Sequence, residues 1–350
     1  MSMDFDIVIV TRNRQKALPI SIPLMLAQSR LPQKFIVIDS SDNHNDVRRI
    51  VENIFSCSMA NVRLEIHRTS PGISYQRNVG LKYAESPVVF FPDDDALWFP
   101  NVAENMMKVY ERDSEGLIGA VCAAESIVPP PGVFDNAAPL YRMEFRDRLQ
   151  RVTGRFVDPI ENKFFQDPLF IEGYSRSNEK LAPLWLDDEG AESCGQMTGF
   201  RMSFRTELIR NIRFDEILGR YALFEDRDAS LGILHNYLII CAKTAKVFHY
   251  RSPEKRTNGL DWGVMHILNR VYVVCKHSSP GSLARRRLIG YSCYKMLRYL
   301  LQAQTPYGRQ RVLGAWRAIR QIPKLLGASR EELPGNYLKA RNVCLGVERE

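Results

Sequence analysis

The amino-acid sequence predicts an α/β protein with a doubly wound, mostly parallel sheet and a helical C-terminal extension. Two short apolar runs rich in β-branched residues, DIVIV at 6–10 and FIVI at 35–38, are typical of strands buried on both faces of such a sheet. Helix-like stretches separate these runs at the spacing of βαβ units. The length of 350 residues, 45% of them apolar and 25% charged, suits one large domain with an appendage or two small domains. This composition excludes a disordered, collagenous or coiled-coil chain.

The first half of the sequence alternates strands and helices. Pro19 and Pro23 make the first helix-like stretch irregular, and a Pro-Gly turn precedes the second. The predicted elements, in chain order, are a strand at 6–10, a helix at about 15–30, strands at 35–38 and 62–67, a helix at 74–85 and a strand at 87–91.

The second half is less regular. A strand is predicted at 117–123, and residues 128–190, rich in Pro, Arg, Asp and aromatic residues, are predicted to form a long excursion over the sheet. Ordered structure returns at 197–204, 221–234 and 246–250. The rest is predicted to be helical to about residue 328.

The net charge of +8 is concentrated in one C-terminal segment. Residues 262–330 contain 13 Lys and Arg and no Asp or Glu, whereas the rest of the chain carries 35 basic and 40 acidic side chains. This distribution argues against nucleic acid as a partner of the whole chain and favours a local anionic partner for the tail. The sequence shows no transmembrane run or signal peptide, and its seven scattered cysteines are typical of reduced cytosolic thiols.

Polar clusters follow three predicted strands, at 11–14, 39–42 and 93–95. Ligands of doubly wound sheets bind at the carboxyl ends of the strands, where these clusters fall. Three consecutive aspartates repel one another, so the last cluster indicates a cation such as Mg²⁺ or Mn²⁺ that offsets the repulsion. The alternative is a solvated turn that caps the next helix.

Two further features could belong to a catalytic site, but neither indicates one by itself. Glu225 and Asp226 open a predicted helix, where acidic residues also favour the helix dipole without any other role. His249 ends a predicted strand, where a histidine is more often structural than a metal ligand.

Taken in order, these segments resemble family 2 glycosyltransferases of the GT-A fold, over residues 5 to about 250. The segments that carry the resemblance are IVTRNR at 9–14, IDSSDN at 38–43, PGISYQRNVGLKYA at 71–84, FFPDDDALWFP at 90–100, TGFRMSFR at 198–205, FEDRDASLGI at 224–233 and His249. The resemblance implies a GT-A catalytic domain at 1–260, with a nucleotide-sugar half at 1–115, an acceptor half at 116–260 containing the insertion 128–190, and a basic helical extension at 261–350.

The resemblance also implies roles for individual residues. Asp93 and Asp95 match the DxD motif and are expected metal ligands. The strand-final His249 is a further expected ligand. Asp226 matches the general base of the family's ED motif, beside Glu225. The residues expected to bind the nucleotide sugar are Thr11, Arg12, Asn13, Asp39, Arg77, Asp93 and Asp94. Phe224 departs from the family's pattern, in which glycine often precedes the acidic pair.

The implied activity is metal-dependent, inverting transfer of a sugar from a nucleotide-diphosphate sugar to a hydroxyl of a glycan or lipid-linked acceptor, in bacterial polysaccharide or glycolipid biosynthesis. One alternative is a catalytically idle homologue that serves as a membrane-associated scaffold. Another is a sugar-nucleotide pyrophosphorylase, which would need a glycine-rich loop where this chain has VTRNR at 10–14.

The basic tail is predicted to form amphipathic helices within 283–326. They could pack on the mildly acidic catalytic domain, or lie on an anionic membrane surface. The expected location is cytoplasmic, with peripheral contact to the inner face of the plasma membrane.

Overall fold

A computed structural model describes residues 3–134, 165, 170, 182–219, 221–252 and 257–346. The chain divides into two units, one comprising Met1–Val133 and Arg176–Arg256, the other Phe134–Ser175 and Thr257–Glu350. The predicted domain boundary at residue 260 lies close to the junction at 256–257, but the predicted insertion 128–190 is shared between the two units. Most of this insertion lies outside the described residues.

Within the described residues, the first unit contains one mixed sheet of nine strands. These are β1 (Phe5–Thr11), β2 (Lys34–Asp39), β3 (Arg63–Arg68), β4 (Val88–Phe91), β5 (Ala96–Trp98), β6 (Ile118–Ser126), β7 (Ala191–Ser193), β8 (Met202–Arg205) and β9 (Leu238–His249). Its helices are α1 (Leu18–Leu26), α2 (His44–Ser56), α3 (Ile73–Tyr83), α4 (Val102–Arg112), α5 (Thr206–Ile212) and α6 (Glu225–Leu234).

The strand order is β3-β2-β1-β4-β8-β6-β9-β5, with β7 also paired to β9. The pairs among β3, β2, β1 and β4 are all parallel, as predicted from their apolar runs. Strand β8 pairs antiparallel with both β4 and β6, and β5 pairs antiparallel with β9. The short strands β5 and β7 were not predicted, because three residues are too few to show a periodic pattern.

Helices cover both faces of the sheet, and a hydrophobic core lies between the sheet and the helices on each face. Successive side chains of a strand point alternately into one core and the other. Ile7 and Ile9 of β1 point to one core, which α1, α2 and α4 also line. Val8 and Val10 point to the opposite core, lined by α3, α5 and α6. The sheet is therefore doubly wound, which confirms the predicted fold class.

Two predicted boundaries were wrong. The first helix spans Leu18–Leu26, shorter than 15–30, with Pro19 in its first turn and Pro23 inside it. Helical structure continues well beyond residue 328, to Leu345, in a helix that begins with a proline in its first turn. Proline at that position is favourable because the first helical N–H needs no partner within the helix.

The second unit is helical, with α7 at its centre. Its helices are α7 (Gly259–Lys276), α8 (Leu283–Leu300), α9 (Pro306–Ile319), α10 (Ile322–Leu326) and α11 (Leu333–Leu345). Each of the other helices contacts α7, whose residues from 267 to 275 are all buried. In the described helices, no segment is both long and apolar enough to cross a membrane.

Close backbone approach fixes α9 on α7. A methyl group added at Gly263 would lie 2.2 Å from the carbonyl oxygen of Arg311, and one added at Gly314 would lie 2.2 Å from that of Leu260. Only glycine permits this separation at both positions. The contact sets which face of α9 points inward: Ala315 and Ala318 are buried beside Gly314.

Buried polar and aromatic groups complete the helical unit. The Arg285 guanidinium donates hydrogen bonds of 2.7–2.8 Å to backbone carbonyls of Cys275, Ser278, Leu326 and Ala328. These carbonyls lie at or just beyond helix ends, where carbonyl groups have no partner within their own helix. Phe170, which lies within the predicted insertion, is buried in this unit, with the Arg270 guanidinium 4.7 Å from its ring centroid.

Candidate active site

Asp93, Asp95 and His249 come together at the carboxyl edge of the sheet. The chain leaves β4, and Asp93 forms a bridge to Val10 at the end of β1. Because β5 runs antiparallel to β9, Ala96 pairs with His249, which places the imidazole beside Asp95. One ligand atom from each of the three side chains lies within 4.8 Å of the other two. The three residues predicted as metal ligands therefore face one point.

The environment of Asp95 holds its carboxylate charged. Asp95 Oδ1 lies 3.2 Å from His249 Nε2, and Oδ2 lies 3.5 Å from Arg14 Nη1. The backbone N–H of Ser252 donates to Oδ2 at 2.9 Å. Burial alone would raise the pKa of Asp95, but the hydrogen bond and charge of His249, with Arg14, lower it. Burial lowers the pKa of His249, but Asp95 outweighs it and raises that pKa above its usual value.

Asp94 points away from this cluster. Asp94 and Asp95 are the central residues of a turn that the Ala96 N–H closes on the Asp93 carbonyl at 3.1 Å, and within this turn Asp94 is buried. Its Oδ2 accepts a hydrogen bond of 2.7 Å from the Thr11 hydroxyl. Burial, together with the charge of Asp95, raises the pKa of Asp94 to about 8. Asp94 therefore links its own loop to the loop after β1 through this hydrogen bond. Its predicted contact with the nucleotide sugar stays a prediction.

Arg77 joins the two acidic groups of the site. The side chain is almost fully buried, and its Nη2 donates to Asp93 Oδ1 at 3.0 Å while Nη1 donates to Glu225 Oε1. Its guanidinium also lies 5.4 Å from the ring centroid of Phe214. Burial would lower the pKa of Arg77, but Glu225 and Asp93 together raise it. Arg77 connects the DxD segment to the start of α6. Its predicted contact with the nucleotide sugar stays a prediction.

Glu225 and Asp226 form the first turn of α6. Burial and the neighbouring Asp226 charge raise the pKa of Glu225 to about 8, against the opposing effect of Arg77. Asp226 is only half-buried, and its two oxygens accept hydrogen bonds from the backbone N–H groups of Gly199 at 3.0 Å and Arg227 at 2.8 Å. Phe224 precedes the pair at φ +79°, in the left-handed region that glycine adopts freely.

The loops after β1 and β2 lie side by side, as predicted. Asn13 and Asp42 exchange hydrogen bonds of 3.1 and 3.0 Å, and the backbone N–H of Asn13 donates to the Ser41 hydroxyl at 2.7 Å. Arg12 is exposed at this edge. Asp39 is fully buried: its Oδ1 accepts from Ser41 N–H at 2.8 Å, and its Oδ2 lies 2.7 Å from His44 Nδ1.

Three contributors to the site were not predicted. Phe200 stacks on the His249 ring with centroids 4.5 Å apart, Arg14 approaches Asp95, and Gly199 orients Asp226. All three lie within segments that carry the resemblance: Arg14 in IVTRNR, and Gly199 and Phe200 in TGFRMSFR. Their position in those segments could have marked them as candidate site residues, but the sequence does not show which residues they contact.

Comparisons with solved structures show the GT-A fold. The mannosyltransferase PcManGT from Pyrobaculum calidifontis, solved with GDP-Man and Mn²⁺, has a TM-score of 0.50 and 14% identity, over 98% of this chain and 87% of its own. TarS of S. aureus, solved with UDP-GlcNAc, has a TM-score of 0.52 and 13% identity, over 98% of this chain and 91% of its own. GalNAc-T7, solved with UDP, GalNAc and Mn²⁺, has a TM-score of 0.52 and 13% identity, over 95% of this chain and 56% of its own.

The sequence itself was compared with protein families and with curated proteins. The curated proteins give no significant match. The model of glycosyl transferase family 2 matches residues 6–205. These 200 residues include Arg77 and the DxD segment, and they make up more than half of the 350-residue chain. The chain therefore belongs to glycosyl transferase family 2.

Proposed function

We propose that this protein is a metal-dependent, inverting glycosyltransferase that uses a nucleoside diphosphate sugar as donor and a hydroxyl of a glycan or lipid-linked acceptor. The observation that carries the proposal is that one buried side chain, Arg77, joins the cluster of Asp93, Asp95 and His249 to the acidic pair at the start of α6. Two functions that the reaction needs, charge neutralisation and proton removal, are thereby held in one cleft.

A divalent cation fits the first group of residues. Two carboxylates and one imidazole are suitable ligands for Mn²⁺, and the carboxylates also suit Mg²⁺. Asp93, Asp95 and His249 would hold the ion, with Arg14 and Ser252 orienting Asp95. When bound, the ion neutralises the charge that develops on the diphosphate leaving group. The PcManGT and GalNAc-T7 structures, both solved with Mn²⁺, support this assignment.

Asp226 is the proposed general base. Its half-buried carboxylate remains accessible, and the N–H groups of Gly199 and Arg227 orient it. It would take the proton of the acceptor hydroxyl while that oxygen attacks the anomeric carbon and the diphosphate leaves from the opposite side. One displacement assisted by one base inverts the anomeric configuration. Glu225 is a positioning residue, because its carboxylate is held by Arg77.

The donor nucleotide is assigned to the adjoining loops after β1 and β2. Asn13 and Asp42 link these loops, and Arg12 stands exposed at their edge, where it could meet a phosphate. Asp39, with both oxygens already engaged by Ser41 and His44, is proposed to shape the base pocket. UDP-GlcNAc in the TarS structure and GDP-Man in that of PcManGT are the donor class that we propose here.

The proposal is tested with a panel of UDP-, GDP- and dTDP-sugars, by calorimetry for binding and by nucleoside diphosphate release for turnover. We expect one donor class to bind in the presence of Mn²⁺ and to lose binding in EDTA and in Asp95→Ala. Asp226→Asn should bind that donor with unchanged affinity but release product about 10²–10⁴-fold more slowly. Glu52→Gln, an exposed carboxylate of α2, is the matched control.

Two outcomes would contradict the proposal. Donor binding without turnover by the wild-type protein, across the panel and with added acceptors, would favour the catalytically idle scaffold. A product sugar that keeps the donor's anomeric configuration in NMR spectra would exclude the single displacement.

A further inference from the structure

The outward face of α8 is apolar. Ile289, Cys293, Leu297 and Leu301 follow one another at four-residue intervals, so they form one stripe along the helix, and all four are exposed. Leu297 and Leu301 are 59% and 63% exposed. A helix on the surface of a soluble protein normally places charged and polar residues on this side.

The stripe continues across a groove onto α9. The groove, with a volume of about 640 Å³, is lined by Leu300 of α8 and by Val312, Leu313 and Trp316 of α9, among others, and Arg309 is its charged lining residue. The Trp316 side chain is 48% exposed. Leu297 of the stripe and Leu300 of the groove lie three residues apart on α8 and are therefore neighbours on its surface. We name the stripe and the groove together the α8–α9 face.

The residues of the α8–α9 face are distinct from those that form the hydrophobic core of the helical unit. Leu288, Tyr291 and Tyr299 of α8 are buried on the opposite side of that helix. Ala315 and Ala318 of α9 are buried against α7, in the contact that Gly263 and Gly314 permit. Since both helices already bury an inward face, the outward leucines are not needed to hold the fold together.

Both helices of the α8–α9 face lie in a stretch of sequence whose charged side chains are all basic. The whole stretch 262–330 contains 13 Lys and Arg and no Asp or Glu. Arg286, Arg309, Arg320 and Lys324 are exposed, and the Arg320 guanidinium lies 4.7 Å from the ring centroid of Trp316. A second copy docked on this face would bring two basic surfaces together, which argues against a homodimer.

We propose that the α8–α9 face binds the surface of an anionic lipid bilayer. Leu297, Leu301 and Trp316 would enter the boundary between headgroups and acyl chains, while Arg309 and Arg320 would contact lipid phosphates. The helices would lie in the plane of the interface, because in the described part of the chain no helix could span a bilayer. Tryptophan and basic side chains are the residues that such interfaces favour.

The full-length protein is tested by flotation with vesicles of phosphatidylcholine alone and with about 30 mol % phosphatidylglycerol, at about 0.05 M and about 0.5 M salt. We expect binding to the anionic vesicles at low salt, at least about tenfold weaker binding to neutral vesicles, and a blue shift of Trp316 fluorescence that Trp316→Phe removes. Leu297→Ser/Leu301→Ser should weaken binding about tenfold or more without lowering the melting temperature, because both side chains are exposed.

Matched controls lie in the other unit. Met59→Ser/Leu184→Ser changes two fully exposed apolar residues, and Arg49→Gln removes an exposed charge; neither should alter vesicle binding. The absence of binding to anionic vesicles at low salt would overturn the proposal, as would binding that Leu297→Ser/Leu301→Ser leaves unchanged. A concentration-dependent dimer that the same double variant dissociates would assign the face to a second copy of the chain instead.

Discussion

Arg77 and Glu225 are in direct contact although 148 residues separate them in the sequence: the guanidinium Nη1 of Arg77 donates to Oε1 of Glu225. The second nitrogen of the same guanidinium donates to Asp93. The position of α6 against α3 therefore also sets the position of the acidic pair against the candidate metal ligands. Loss of Arg77 would therefore remove a hydrogen-bond donor from both carboxyl groups at once.

Replacement of Arg77 by Met should destabilise the protein by about 1–3 kcal/mol, because Glu225 and Asp93 would both lose the hydrogen bonds that the buried guanidinium donates. Urea denaturation measures this loss. Glu225→Gln should destabilise the wild type more than it destabilises Arg77→Met, because the hydrogen bond to Arg77 exists only in the wild type. If Glu225→Gln changed the stability of both proteins equally, the contact would carry no coupling energy.

Stability in EDTA should fall as the pH rises from about 4 to about 8. The pKa values of Asp94 and Glu225 are each about 8 in the folded protein, above the usual carboxyl range, so the folded state binds more protons than the unfolded state in this window. The free energy of unfolding then decreases with pH, by at most about 1.4 kcal/mol per pH unit for each group.

Melting temperatures measured between about pH 5 and about pH 8.5 check this dependence. This is roughly the window between the pKa values of the two carboxyl groups in the unfolded and in the folded protein. Asp94→Asn should flatten the curve and raise the stability at about pH 8, because an amide oxygen can still accept the hydrogen bond from Thr11. Glu52→Gln, on the exposed face of α2, should leave the slope unchanged. A wild-type curve that rises with pH would contradict the prediction.

At position 224 a glycine variant should be more stable than an alanine variant, the reverse of the usual order. Both Phe224→Ala and Phe224→Gly lose the packing of a buried ring and should be about 3–5 kcal/mol less stable than the wild type. At φ +79° a Cβ atom is unfavourable by about 1–2 kcal/mol, so the glycine variant should be the more stable of the two. Chemical denaturation of the two variants side by side tests this, and a more stable alanine variant would show that the backbone relaxes.

Arg285→Met should lower the free energy of unfolding by about 3 kcal/mol or more, because four backbone carbonyls, two of them in buried and two in partly buried hydrogen bonds, lose their charged donor. The neighbouring Arg286 is exposed, and Arg286→Met should change stability by less than about 0.5 kcal/mol. Equal effects of the two substitutions would contradict the role of Arg285 in joining the helix ends.

The sequence predicts the sheet and its carboxyl edge well, because apolar β-branched runs mark buried strands whatever their partners. Asp93, Asp95 and His249 were predicted together as metal ligands only through the resemblance to family 2 glycosyltransferases, because a histidine at a strand end is by itself more often structural. The direction of Asp94 depends on the turn at 93–96, which a run of three aspartates does not reveal by itself.

The role of Arg77 could not be predicted in the same way. Its two partners lie on segments whose proximity depends on how α3 and α6 pack on the sheet, and no local pattern encodes that packing. Asp39 is a second case: an acidic residue at a strand end suggests ligand binding, but His44, five residues later on α2, reaches back to its carboxylate. Such a contact depends on the geometry of the turn, which the residue types alone do not specify.

The order in which the chain is synthesised also bears on the site. Strands β1, β2 and β4 can pair once residue 91 has been made, but His249 ends β9, which pairs with β5, β6 and β7. Glu225, Asp226 and His249 all follow residue 205, where the family match ends. A chain released before residue 225 has been made would carry the loops after β1 and β2, but it would lack both Glu225 and His249. The candidate site is therefore complete only once translation has passed residue 249.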